Sequence, residues 1–217
     1  MLKVHQLVFN PFEENTYIVT DTETGEGAVI DPGMFTDSDR LQFDEYIQAN
    51  DIRLTQIINT HLHVDHCMGT AHVRDRYGVK VKASPADSAL GERVVEQAIF
   101  FGLGSAQKIL KAVTIDQELK DGDIISIGKG QLQVITTPGH SPGGIALYDA
   151  QDGFVITGDS LFRGSIGRTV LPGGNHRQLV ESVRKKLLTL PSSTLIYPGH
   201  GPMSTVSLEL ATNPFVR

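Results

Sequence analysis

The stretch Thr60-His61-Leu62-His63-Val64-Asp65-His66 constrains this chain more than any other. Three of the eight histidines fall within six residues of a 217-residue chain. An even spread would leave roughly 0.2 there. The run Gln56-Ile57-Ile58-Asn59 just before it reads as the end of a buried strand. Strand ends are where rigid scaffolds present functional loops. Imidazole and carboxylate are good ligands for divalent zinc, at about 2.0–2.2 Å. In an extended segment His61 and His63 point to the same side, and Asp65 and His66 lie in the turn, where they face a second ion. A helical H-E-x-x-H site, with ligands one turn apart, has a different spacing. If the histidines only capped backbone groups, imidazoles this crowded would go uncompensated.

The rest of the chain alternates in a regular way. Leu2–Phe9, Thr16–Thr20, Gly27–Ile30 and Leu54–Asn59 read as strands. A helix capped by Asp37 or Ser38 runs to about Asn50, with Leu41, Tyr46 and Ile47 on one side. Gly69–Tyr77 reads as a helix stopped by Gly78, and Lys80–Ala83 as a short strand. Ser84-Pro85 is an N-cap with proline at the first helical position. From there to Leu110 the chain reads as helical, interrupted by Gly102 and Gly104, and suits a lid or a substrate-facing insertion. Ile124–Ile127, Leu132–Thr137, Gly144–Tyr148, Phe154–Thr157 and Thr194–Tyr197 are strands. Asn175 with Gln178 starts a helix whose stripe is Leu179, Val183, Leu187 and Leu190. Strands in runs with helices between and after them predict two sheets packed face to face with helices outside.

Four stretches share one pattern, an apolar strand ending in a small-residue turn that carries a histidine or aspartate. They are Ile58–His66, Val134–His140, Val155–Asp159 and Leu195–His200, and Pro-Gly-His occurs twice. Glycine and proline permit the tight turns that bring backbone close to a site. With these strand ends at one edge, His61, His63, Asp65, His66, His140, Asp159 and His200 converge. Seven ligands exceed one tetrahedral zinc and suit two ions. His61, His63 and His140 form one set and Asp65, His66 and His200 the other. Asp159 bridges them, since a carboxylate has two oxygens. An ion pair about 3.5–4 Å apart activates water at neutral pH. Zinc is the first expectation, and iron or manganese accept the same ligands.

Bulk properties narrow the function. The formal net charge of −6 argues against a nucleic-acid surface. No run approaches a membrane span, and the N-terminus lacks the pattern of a signal peptide, so a cytoplasmic protein is expected. The one cysteine, Cys67, reads as a small buried residue. Asp31, before Pro-Gly, reads as a brace for a ligand loop. His5 and His72 read as surface or helix-face residues, and His176 as structural with substrate contact the alternative. Phe100-Phe101 suits either a pocket wall or the core.

The motif His61-x-His63-x-Asp65-His66, with His140, Asp159 and His200, resembles the metallo-β-lactamase superfamily. That resemblance implies an α/β, four-layer αββα sandwich over residues 1–217 as one domain, with metals at one edge of the sheets. Thr157-Gly158-Asp159-Ser160-Leu161-Phe162, Gly164-Ser165-Ile166-Gly167-Arg168 and Thr212-Asn213-Pro214-Phe215 resemble the glyoxalase II branch. Gly173-Gly174-Asn175-His176 and Pro198-Gly199-His200-Gly201-Pro202 resemble its short, single-domain members. The implied reaction is hydrolysis of a small-molecule thioester such as S-lactoylglutathione, with Asp65 and Asp159 catalytic and Arg168 taking an anionic end of the substrate. Pro202 and Val170 stand where long members of that branch have aromatic residues. Persulfide dioxygenases resemble the same branch and hold one iron on two histidines and an aspartate, which His63, His140 and Asp159 match. Ile166 stands where those enzymes carry cysteine. A lactonase of the same superfamily is a further alternative.

Overall fold

The computed structural model describes residues 1–104 and 110–216. The first sheet contains β1 (Leu2–Phe9), β2 (Glu14–Asp21), β3 (Glu26–Ile30), β4 (Arg53–Ile58), β5 (Lys80–Ala83) and β6 (Gln117–Glu118), side by side in that order. Its β1–β3 part is antiparallel, and β3 to β6 are parallel. The second sheet begins with β7 (Ile124–Ile127), β8 (Gly130–Thr136), β9 (Ile145–Asp149) and β10 (Phe154–Gly158) as an antiparallel meander. A small hairpin follows, β11 (Leu161–Phe162) with β12 (Ser165–Ile166). Then β13 (Leu195–Pro198) joins β10 in parallel and β14 (Ser204–Thr205) closes that edge.

Period-two alternation sorts the side chains into layers. Ala28, Ile30 and Ile58 face Leu132, Val134 and Ile156 in the core between the sheets. Their neighbours Val29 and Ile57 point the other way, against Phe43, Ile47, Val73 and Val94. These belong to the helical layer of α1 (Asp37–Ala49), α2 (Thr70–Tyr77), α3 (Ser88–Glu92) and α4 (Val94–Phe100). On the far side, Val155 and Ile196 pack on Leu179, Val183, Leu187 and Val206 of α5 (His176–Ser182), its continuation and α6 (Val206–Thr212). This is the four-layer αββα sandwich.

Two helices differ from expectation. Helix α1 is capped by Thr36, whose hydroxyl accepts from Asp39 N while the Asp39 carboxylate accepts from Thr36 N. Leu41 is 59% exposed, and the buried pair is Phe43 and Ile47. Two residues turn a helix by about 200°, so Leu41 cannot share a face with Phe43. The apolar stripe after α5 continues through a π-helical turn, Val183–Leu187, closed by Leu188 N donating to Val183 O at 2.9 Å. The widened turn keeps Val183 and Leu187 buried. The segment 84–110 forms a capped turn at Pro85–Asp87 and then α3 and α4, and its stretch 105–109 lies outside the described residues.

The topology aligns the loops that matter. Strands β8, β10 and β13 run in the same direction, so their C-terminal ends share one edge. The end of β4 meets that edge from the other sheet, where Ile145 N donates to Thr60 O at 2.9 Å. The start of β2 ties the two sheets together. Asn15 N donates to Gly199 O at 2.8 Å, and its amide donates to Pro198 O and Gly201 O at 2.8 and 2.9 Å. The Tyr17 hydroxyl adds a 2.7 Å bond to Pro198 O. Replacing Asn15 with Ala removes both amide bonds to the His200 loop. The expected outcome is a loss of about 2 kcal/mol in unfolding free energy by urea titration, with an unchanged far-ultraviolet dichroism spectrum.

Candidate metal centre

The seven predicted ligands meet at the shared edge, and their orientation is fixed from behind. Asp31, at the end of β3, accepts from Thr60 N at 2.6 Å and from Thr60 Oγ1 at 2.5 Å. It also accepts from His66 Nδ1 at 3.0 Å. Since Thr60 Oγ1 gives its proton to Asp31, it accepts from His61 Nδ1 at 3.1 Å. His140 Nδ1 donates to Arg168 O at 2.7 Å, and His200 Nδ1 donates to Phe12 O at 3.0 Å. Four imidazoles thus give their Nδ1 protons outward and turn Nε2 to the centre.

The inward atoms lie close together. His63 Nδ1 is 2.8 Å from His140 Nε2. His66 Nε2 is 3.3 Å from His200 Nε2 and 3.3 Å from Asp159 Oδ1. Asp159 Oδ2 is 3.4 Å from His140 Nε2, and Asp65 Oδ2 is 3.3 Å from His200 Nε2. Asp159 therefore reaches each nitrogen group with a different oxygen. Its Oδ1 and His61 Nε2 are buried without a hydrogen-bond partner. Converging imidazole nitrogens and the carboxylates of Asp65 and Asp159 are a ligand set for cations. Three groups among the described residues meet the spacing of a metal site, His61–His63–His140, Asp65–His66–His200 and Asp31–His61–His66. In the third, Asp31 is already engaged by Thr60 and His66 Nδ1, which makes it a brace. Divalent metal ions fit this chemistry, and histidine with carboxylate accepts zinc or iron.

Close packing around the centre demands glycine in the loops. A side chain at Gly199 would overlap Asp159 Oδ1 and His66, and one at Gly167 would overlap the Asp159 carbonyl. Residues the sequence did not single out complete the support. Asp87 accepts from Leu62 N at 3.1 Å, Ser141 Oγ at 2.8 Å and Gly143 N at 2.6 Å, clamping the histidine loop to the His140 loop. Glu14 is fully buried, with Oε1 3.9 Å from His66 Nδ1, and burial keeps its carboxyl well above the usual range. No periodicity marks Asp87 or Glu14: Asp87 bonds groups far away in sequence, and Glu14, which accepts from Thr16 Oγ1 on its own strand, meets His66 only in the fold.

The centre opens into a cleft of about 290 Å³ walled by Phe12, Phe101, Phe162 and Leu171. Arg168 lines this cleft, and its guanidinium makes no ion pair or hydrogen bond with the described residues. Cys67 is buried and its thiol donates to His63 O. His72 pairs with Asp44 at 3.0 Å, and His5 stacks on Tyr46. His176 is exposed at the start of α5, outside the cleft lining.

A two-sheet sandwich with a histidine–aspartate centre at one edge defines a metal-dependent hydrolase class. Residues 9–200 match the family model described as the metallo-beta-lactamase superfamily, and the chain belongs to that superfamily. It is 34% identical over 206 residues to the hydroxyacylglutathione hydrolase GloC of Haemophilus influenzae, covering 94% of this chain and 92% of the relative. The crystal structure of the BLEG-1 B3 metallo-beta-lactamase superposes with a TM-score of 0.89 at 30% identity, over 99% of both chains. TTHA1623 in a di-iron-bound form superposes with a TM-score of 0.85 at 36% identity, over 97% of this chain and 99% of that one. Among the described residues no helix is long and apolar enough to cross a membrane.

The two nitrogen groups differ in their hold on protons. Burial, with neighbouring imidazoles, drives His61 well below the usual histidine range and His63 down to about 4. Burial also disfavours charge on His66 and His200, but Asp65 and Asp159 outweigh it and raise both. Metal competes with protons only where a ligand holds one. As pH falls from 8 to 5, metal is expected to leave Asp65–His66–His200 before His61–His63–His140. Zinc content after equilibrium dialysis at stepped pH checks this, and simultaneous loss would contradict it.

Proposed function

We propose that this chain hydrolyses thioesters with the help of divalent metal, with a hydroxyacyl glutathione thioester such as S-lactoylglutathione as its substrate. The observation that carries the reading is Asp159, one carboxylate directed at two separate nitrogen groups. Similarity to the Haemophilus hydroxyacylglutathione hydrolase supplies the substrate class. His61, His63 and His140 would hold one ion and Asp65, His66 and His200 the other, with Asp159 shared. When bound, the ions lower the pKa of water towards about 7 and polarise the carbonyl.

The protein's own groups then direct the reaction. Asp65 stands on the cleft wall beside His200 and accepts a hydrogen bond from the attacking water, orienting its lone pair. The water oxygen bonds to the acyl carbon and the C–S bond breaks, its electron pair leaving with sulfur, and the proton lost by the water ends on the departing thiolate. No strong acid is required, because a thiol has a free pKa of about 8.5. The products are the hydroxy acid and the thiol. Arg168, without an ion pair among the described residues, pairs with a carboxylate of the carrier. The aromatic walls keep bulk water from the reacting carbon. A small-molecule substrate, no nucleic-acid or membrane partner and a cytoplasmic setting complete the reading.

A second reading has one observation in its favour. TTHA1623, similar over nearly the whole chain, has a di-iron-bound form, which bears on iron in place of zinc and not on the number of ions. His63 and His140, with Asp159 3.4 Å from His140, also form a compact three-ligand set of the kind a single iron uses. Oxygen consumption by iron-loaded protein with glutathione persulfide would favour that oxidoreductase, and turnover confined to lactones would favour a lactonase.

The test is hydrolysis of S-D-lactoylglutathione by zinc-reconstituted protein beside Asp159→Ala. The variant is expected to lose at least about 100-fold in kcat/KM and to bind less than the full metal complement. A variant that keeps two metals and full activity would sink the bridging role.

A further inference from the structure

Beyond the cleft lies a second chamber, of about 360 Å³, that the reaction as drawn leaves unused. It lies between α3–α4 and the Leu171-Pro172 turn. His63, Phe101 and Leu171 line both spaces, so the chamber opens from the metal centre itself. Leu90, Phe100 and Pro172 supply most of the remaining wall. Gln97 is the polar exception, but its amide is fully engaged by the backbone. Its Nε2 donates to Leu62 O and Leu90 O, and its Oε1 accepts from Val64 N. Only Arg93 and Glu96 bring charge, and both are exposed at the rim. Phe100 is 76% exposed and stacks edge-on with Phe101, which in turn packs on Phe12 in the cleft.

The volume corresponds to about twelve waters at about 30 Å³ each. A lactoyl group, with three carbons and a hydroxyl, neither fills nor needs such a space. Glutathione suits it poorly, since its charged termini would find partners only at the exposed rim, on Arg93 and Glu96, and none along the apolar wall. A flexible hydrocarbon attached to the acyl carbon does suit it, because that carbon must sit beside His63 while the carrier extends towards Arg168. We infer that the chamber receives the acyl chain, and that the enzyme accepts thioesters of straight-chain acids of about six to eight carbons. The inference rests on the thioester reading above and extends it to the acyl side.

Fully burying a methylene is worth about fourfold in affinity or kcat/KM. The test measures kcat/KM of zinc-reconstituted protein on S-lactoyl-, S-acetyl-, S-butyryl-, S-hexanoyl- and S-octanoylglutathione. A parallel calorimetric series uses butyrate, hexanoate and octanoate, which needs neither turnover nor carrier. The expected result is a gain of about two- to fourfold per methylene in both series. Phe100→Asp, a change at an exposed position, is expected to flatten both slopes. Turnover of S-lactoylglutathione without any chain-length dependence in either series would overturn the chamber's role and leave the thioester reading standing. Chain-length dependent carboxylate binding without turnover of any thioester would keep the chamber and overturn the thioester reading. A slope unchanged by Phe100→Asp would place the chain elsewhere and overturn the assignment.

Discussion

The fold depends on reconciling groups that repel one another. Four imidazoles turn Nε2 inward, and Asp159 adds an anionic carboxylate among them. Such a cluster is held when each ring is fixed from outside and a proton or a metal cation sits between the inward atoms. Asp31, Thr60, the Arg168 carbonyl and the Phe12 carbonyl do this fixing. The sheets, the glycine turns and the clamp at Asp87 all place those outer partners. Hence the loops around the centre are rich in hydrogen bonds, although they lie at the end of a sandwich whose layers are held by hydrocarbon.

Much of this was legible in the chain. The convergence of these histidines and aspartates was readable because metal chemistry limits the residue types, and because each follows a strand whose apolar run is plain. Strands β1, β5 and β7 matched their expected bounds, since alternation and flanking breakers agree there. Leu41 failed because an amphipathic stripe read without the right cap has the wrong phase, and Thr36 set that phase. The π-helical turn at Val183–Leu187 was invisible because it preserves the same apolar stripe as an ordinary helix. Asp87, Asn15 and Glu14 were invisible for another reason. Asp87 and Asn15 bond groups on distant strands and loops, and Glu14 faces His66 across the fold, and no local pattern records such a contact.

On the thioester reading proposed above, the cleft and the chamber beside it would divide recognition between two chemistries. Arg168 provides charge on one side of the centre and the α4 aromatics provide hydrocarbon on the other. A thioester is itself split in this way, with a polar carrier and an acyl group of variable length. The centre sits where the two parts join, so it can be blind to both while its surroundings read each one. Selectivity can then change through Phe100 or Leu90 without touching a ligand.

The placement of the ligands also has a mechanical meaning. His61, His63, Asp65 and His66 hang from the first sheet, whereas His140, Asp159 and His200 hang from the second. An ion shared between them is a cross-link that closes long loops of chain, as a disulfide would, in a protein whose one cysteine has no partner cysteine. Such a link restricts the unfolded chain most when the loops it closes are long. Its strength is set by free metal concentration rather than by redox state. The protein's resistance to unfolding would therefore track the metal supply around it.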